Sequence, residues 1–171
     1  MAKWLWIVWI YSFLGYLLEK LFAWWTKAEN QVRKCQFLPL CPVYGLGMAA
    51  VLALPEPLRN SWLLPIVGGG VATAVEYAVH WLYQRFLGVR FWDYTALSGN
   101  LHGRVCLPFS LIWGGLVALA VWFVQPWVAV GIAKIPWQAT YLALLLFVAD
   151  ALCACRVLRE TGDVTALRLT P

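Results

Sequence analysis

Residues 62–83 read WLLPIVGGGVATAVEYAVHWLY, a run in which one carboxylate and one imidazole interrupt otherwise apolar, aromatic or small side chains. Comparable runs occupy 4–25, 105–125 and 137–155. About 20 mostly apolar residues in a helix cross roughly 30 Å of hydrocarbon, so each run suits a bilayer. A weaker fifth run, 37–54, is interrupted by Pro39 and Pro42 and stopped by Pro55, Glu56 and Pro57. With 63% hydrophobic residues, 12% charged residues and 12 tryptophans, the composition is that of a membrane protein. The expected fold is an all-α integral membrane protein of about five transmembrane helices, with residues 1–171 forming one polytopic domain.

The first run is expected to be retained. Its one early basic residue is Lys3, its apolar stretch exceeds a signal-peptide core, and no small-x-small cleavage site precedes Lys27. Orientation follows from the bias of lysine and arginine toward the cytoplasm. Lys20, Lys27, Arg33, Lys34, Arg85, Arg90, Arg104, Arg156, Arg159 and Arg168 fall on one side, against Lys3, Arg59 and Lys134 on the other. The amino terminus is therefore expected outside the cell membrane, and the carboxyl terminus, with a tail at 156–171, in the cytoplasm. The formal charge of +5 is read as a topology signal and not as a nucleic-acid footprint. Trp4, Trp6, Trp24, Trp25, Trp62, Trp127 and Trp137 cluster at expected span ends, where an amphipathic ring suits the headgroup zone.

Cys35, Cys41, Cys106, Cys153 and Cys155 all fall near the cytoplasmic side, where thiols stay reduced. No paired Cys/His spacing suggests a metal site, and no motif calls for a cofactor.

The chain also resembles itself. FLPLCPVYGLG at 37–47, set above CLPFSLIWGGL at 106–116, aligns Leu38 with Leu107, Pro39 with Pro108, Tyr44 with Trp113 and Gly45 with Gly114. Each stretch opens an outward-running span, and each follows an inward-running span with one acid, Glu19 or Glu76. This pattern predicts a parallel duplication of two-helix units, 4–54 and 62–125, related by an axis along the membrane normal, with 137–155 as a fifth span.

Glu19 and Glu76 each lie about 9 Å inside the expected cytoplasmic end of a span, a depth at which an ionised carboxylate needs a partner, water or a proton. Ser12, Gly15 and Glu19 share one helix face, and Thr73, Glu76 and His80 repeat the spacing. Both stripes are expected to face the bundle interior. The acids serve there either as packing anchors or as a site. His80 is read as a hydrogen-bonded interior histidine that Glu76 can bias toward protonation, and Asp150 as a group hydrated or paired near the interface with Arg156.

A second polar gathering, GNLHGRVCLPFSLIWGG at 99–115, brings Asn100, His102 and Arg104 to the amino-terminal end of the fourth span. Pro108 is tolerated in that first turn because its missing amide would have no helical partner. Unpaired amides there favour anions, and Arg104 adds a fixed cation. Arg104 is thus expected to meet Glu19, Glu76 or an anionic ligand such as a carboxylate or phosphate.

YSFLGYLLEKLF (11–22), CPVYGLG (41–47), VEYAVHWLYQRFLGVRFWDYT (75–95) and NLHGRVCLPFSLIWGGL (100–116) resemble successive blocks of a bacterial membrane family, the CmpB-like ABC-transporter type IV group. The resemblance spans roughly residues 8–120. It implies that the family's recurring positions fall on Glu19, on Cys41, Pro42, Tyr44 and Gly45, on Glu76 and Tyr77, on Trp92, Asp93 and Tyr94, and on Asn100, Leu101, Gly103 and Arg104. It implies no substrate. GLG at 45–47 and GGG at 68–70 lack the lysine of a phosphate-binding loop, so nucleotide hydrolysis would require a separate ATPase subunit.

The leading expectation is a small transporter or permease-like subunit in the lipid bilayer, with a cytoplasm-facing polar site of Glu19, Glu76, His80, Asp93, Asn100, His102 and Arg104. Cys41, Pro42, Tyr44, Gly45, Tyr77, Trp92, Tyr94, Gly103, Pro108 and Trp113 are expected to shape it. Five spans suggest that the pathway needs more than one copy, hence a homo-oligomer. The alternatives are a membrane enzyme acting on a lipid headgroup, with Glu76 or His80 as base and Arg104 on phosphate, and a non-catalytic membrane partner.

Overall fold

The computed structural model describes residues 2–27 and 36–167. Arg33, Lys34, Cys35 and Arg168 lie outside the described residues. Among the described residues six α-helices run in chain order: α1 (Ala2–Trp25), α2 (Pro42–Leu52), α3 (Glu56–Arg59), α4 (Leu64–Leu87), α5 (Leu107–Ala133) and α6 (Trp137–Thr161). A two-stranded ribbon, β1 (Asn100–Leu101) antiparallel to β2 (Val105–Cys106), sits between α4 and α5.

By length and composition, α1, α5 and α6 can each cross a membrane. Helix α4 matches them in length at 24 residues, but Glu76, His80 and Arg85 lower its hydropathy. The stretch expected as a span at 37–54 is helical only over the 11 residues of α2, about half the hydrocarbon thickness at 1.5 Å per residue. Pro42 explains the late start: proline fits the first helical turn but removes an amide and crowds the backbone within a helix. Residues 36–41 therefore approach in non-helical form, with Gln36, Leu40 and Cys41 buried. Pro126 does not end α5, which passes through a π-helical turn at Ala120–Val124 and continues to Ala133, beyond the expected limit at 125.

Helix α1 packs along α2, α4 along α5, and α2 against α4 joins the two pairs. Both pairs cross at glycine. A Cβ on Gly45 would collide with the Val8 carbonyl and Ser12 Oγ, and one on Gly114 would lie 2.6 Å from the Pro65 carbonyl oxygen. Only a residue without a side chain permits this approach. Apolar clusters fill the seams, Ile7, Tyr11, Met48 and Leu52 in one and Val51, Leu64, Ala72 and Val117 in another. Helix α6 lies outside these pairs and contacts α1 and α4. Trp4, Trp24, Trp25, Trp62 and Trp137 are exposed near helix ends, positions suited to the headgroup zone, whereas the exposed Trp127, expected at a span end, lies within α5.

Candidate functional site

Glu19 and Glu76 lie on the buried faces of α1 and α4, 8% and 0% exposed. Ser12 and Gly15 share the buried face of α1 with Glu19, and His80 shares that of α4 with Glu76. Each acid accepts from an aromatic donor on the partner helix of its pair. Tyr44 OH donates to Glu19 Oε1 at 2.6 Å, and Trp113 Nε1 donates to Glu76 Oε2 at 2.8 Å. The two donors meet, with ring centroids 4.8 Å apart. Glu76 receives a further bond from Tyr94 OH, 2.9 Å from Oε1. Hydrogen bonds of this kind are what make a buried carboxyl group tolerable.

Tyr94 reaches Glu76 because the α4–α5 connection is stitched together. Trp92 Nε1 donates to the Arg104 carbonyl at 2.9 Å, and Tyr94 N donates to the Gly103 carbonyl at 2.8 Å. Asn100 Nδ2 donates to the Thr95 and Leu97 carbonyls, while its Oδ1 accepts from Gly103 N. The turn from Leu101 to Arg104 carries left-handed backbone at His102 and Gly103, with φ of 55° and 67°, and is closed by Arg104 N donating to the Leu101 carbonyl at 3.1 Å. The Trp-Asp-Tyr and Asn-Leu-His-Gly-Arg segments thus form one folded loop. Asp93 at its edge accepts from Thr95 N at 2.9 Å. Hydrogen bonds from Thr95, with the nearby Arg90 adding to them, hold the Asp93 carboxyl below the usual range.

Arg104 does not meet the buried acids. Its Nη1 donates to Tyr77 OH at 2.7 Å and its Nη2 to Gln84 Oε1 at 3.1 Å, with the guanidinium 5.0 Å from the Tyr77 ring centroid. Tyr77 OH also lies 3.0 Å from His102 Nδ1. Among the described residues Arg104 has no carboxylate within ion-pair distance, and its Nε is buried without a partner. His80 lies beneath the same loop, donating from Nε2 to the Trp92 carbonyl at 2.9 Å. The expected seven-residue polar site is therefore resolved into two groups: Glu19 and Glu76 with aromatic donors, and Arg104, His102, Tyr77 and Gln84 around an unneutralised cation. Asp93 and Asn100 shape the loop. Pro108 occupies the first turn of α5, and Cys41 and Cys106 pack as thiols in the apolar cluster that holds Trp92 and Tyr94.

Three roles escape sequence reasoning. Gln84 continues the Tyr77–His80 face of α4 by one turn, a spacing that could have flagged it. Tyr94 and Trp113 figure in the sequence as shaping residues, whereas in space they are direct partners of Glu76. Asp150 on α6 accepts from the backbone amides of Phe37 at 3.1 Å and Leu38 at 3.2 Å. It serves the non-helical approach to α2, while Arg156 pairs with Glu160 instead.

The family model described as "Putative ABC-transporter type IV" matches residues 6–155. No curated protein and no solved structure matches the chain.

Proposed function

The chain belongs to this type IV ABC-transporter family, and from that premise we propose that it is a small transporter or permease-like membrane subunit built from two related helical pairs. The observation that carries this reading is a set of matched contacts. If Glu19 corresponds to Glu76 on the first helices, the same offset sets Val8 on Pro65 and Ser12 on Gly69. If Tyr44 corresponds to Trp113 on the second helices, Gly45 falls on Gly114. Tyr44 holds Glu19 as Trp113 holds Glu76. Gly45 approaches Val8 and Ser12 as Gly114 approaches Pro65 and Gly69. These paired contacts support the two-unit reading.

On this reading the polypeptide crosses five times, with α4 turning its polar stripe inward and α2 completing its crossing through the buried approach at 36–41. Non-helical backbone at membrane depth is tolerated where protein buries it and satisfies its amides, which Asp150 does for Phe37 and Leu38. The amino terminus is outside, and Arg104, His102 and Gln84 face the cytoplasm. The buried acids relay protons, and the Arg104 group meets an anionic group, such as a lipid phosphate, at the cytoplasmic mouth. A second copy and a separate ATPase fit the small span number and the lack of a nucleotide loop.

The test is proton flux in proteoliposomes, followed with an entrapped pH dye under a potassium diffusion potential. Glu19→Gln and Glu76→Gln, verified as folded in detergent, are expected to abolish the flux. Flux equal to that of the parent protein would sink the proposal.

A further inference from the structure

A cavity of about 300 Å³ opens between the two helical pairs. Part of its wall comes in matched couples under the offsets just described: Gly15 with Ala72, Tyr44 with Trp113, and Met48 with Val117. It therefore lies where the related units face each other, the place at which repeat-built transporters bind cargo. Yet almost nothing polar looks into it. The Tyr44 hydroxyl and Trp113 indole nitrogen are committed to Glu19 and Glu76, and the Tyr11 hydroxyl to Gln125 at 2.8 Å. The cavity lies beside the middle of α1, and its rim includes Leu119 of α5, 56% exposed. At that depth the surrounding medium is hydrocarbon.

We propose that this cavity holds the hydrocarbon chain of an uncharged single-chain amphiphile entering sideways from the bilayer. A sugar, nucleotide or hydrated ion would lose its water with no replacement partners along these walls. The volume is about twice the ~150 Å³ that accommodates benzene and stands at the low end of the ~300–1,000 Å³ range of small-molecule sites, which suits one chain and not two. A charged headgroup would find neither a counter-ion nor water along these apolar walls, so a neutral headgroup is favoured. The inference rests on the two-unit reading above, and it names the class of cargo for that site.

The test uses the full chain in phosphatidylcholine vesicles with a long-chain alcohol bearing a mid-chain diazirine. Photolabelling is expected to saturate, to be displaced by unlabelled dodecanol, and to map to cavity-lining peptides of α1, α2 and α5. A Cβ on Gly47 meets nothing within 4 Å, so Gly47→Leu grows into the cavity without a backbone clash and is expected to lower labelling roughly tenfold or more. Ala120→Leu enters from the α5 side and is expected to do the same, which covers the case of one variant failing to fold. Labelling that rises linearly with probe, that concentrates on the outward face of α6, or that both folded variants leave unchanged means surrounding lipid only and overturns the proposal. Loss of flux in the glutamine variants together with unsaturable labelling refutes the chain site and leaves the transport reading standing. Saturable labelling with unchanged flux does the reverse.

Discussion

Glu76 is fully buried and receives at least two side-chain donors, Tyr94 OH at 2.9 Å and Trp113 Nε1 at 2.8 Å. Tyr94→Phe removes one of them while keeping the ring, which stacks on Phe109 with centroids 5.1 Å apart. If the acceptor is a carboxylate, the lost bond is of the charge-assisted kind, about 1.5–3 kcal/mol. Interhelical hydrogen bonds measured in a membrane protein average only about 0.6 kcal/mol, so the two cases are separable. The measurement is unfolding in mixed micelles, followed by circular dichroism, for Tyr94→Phe, Glu76→Gln and the double variant. With a neutral acceptor in place, Tyr94→Phe is expected to cost about 1 kcal/mol less than in the parent background, since neutral bonds contribute about 0.5–1.5 kcal/mol. Additivity within about 0.5 kcal/mol would refute the reasoning. It would mean that the donor does not recognise charge at Glu76 and that the acid is not held by the geometry described above.

Three further outcomes are expected. Gly114→Ala places a Cβ 2.6 Å from the Pro65 carbonyl oxygen, and forcing α4 from α5 should lower stability by about 1–3 kcal/mol in the same micelle assay. Asp150→Ala strips the acceptor from two amides and should cost about 2 kcal/mol, with faster hydrogen exchange at Phe37 and Leu38 and little change at α5. Asp93 lies on the loop between α4 and α5, and its folded-state carboxyl lies below the usual value of 3.8. Its stabilisation of the loop is therefore complete above that value and lost as pH falls below it. Parent protein and Asp93→Asn should differ in thermal midpoint from neutral pH down to that point, then converge in more acidic solution.

Apolar periodicity and proline spacing located the long helices because burial in hydrocarbon depends on residue type averaged over a turn or more. Thus α1, α4, α5 and α6 overlie runs visible in the chain. Limits set by a single backbone bond were less legible. Pro126, just past the run at 105–125, is absorbed after a π turn, whereas Pro42 starts a helix outright. Nothing local in the sequence separates the two cases. For the site, the face holding Ser12, Gly15 and Glu19 follows from helical spacing alone. The donors do not, because Tyr94 reaches Glu76 only through a loop whose closure depends on Trp92, Asn100 and Gly103 acting together. Arg104 illustrates the same limit. Its charge suggests pairing with acids on neighbouring helices, and the folded loop instead turns it onto Tyr77 and Gln84.

The bond from Asp150 to the approach of α2 also imposes an order in time. Its two amides belong to the first third of the chain, and the acceptor is made 112 residues after Leu38. At ribosomal rates of about 5–20 residues per second, that interval is on the order of ten seconds. Until α6 arrives, Phe37 and Leu38 must keep their amides in water, at the interface or inside the insertion machinery. On the five-span proposal, the approach to α2 is therefore expected to settle at its final depth only after α6 has been synthesised.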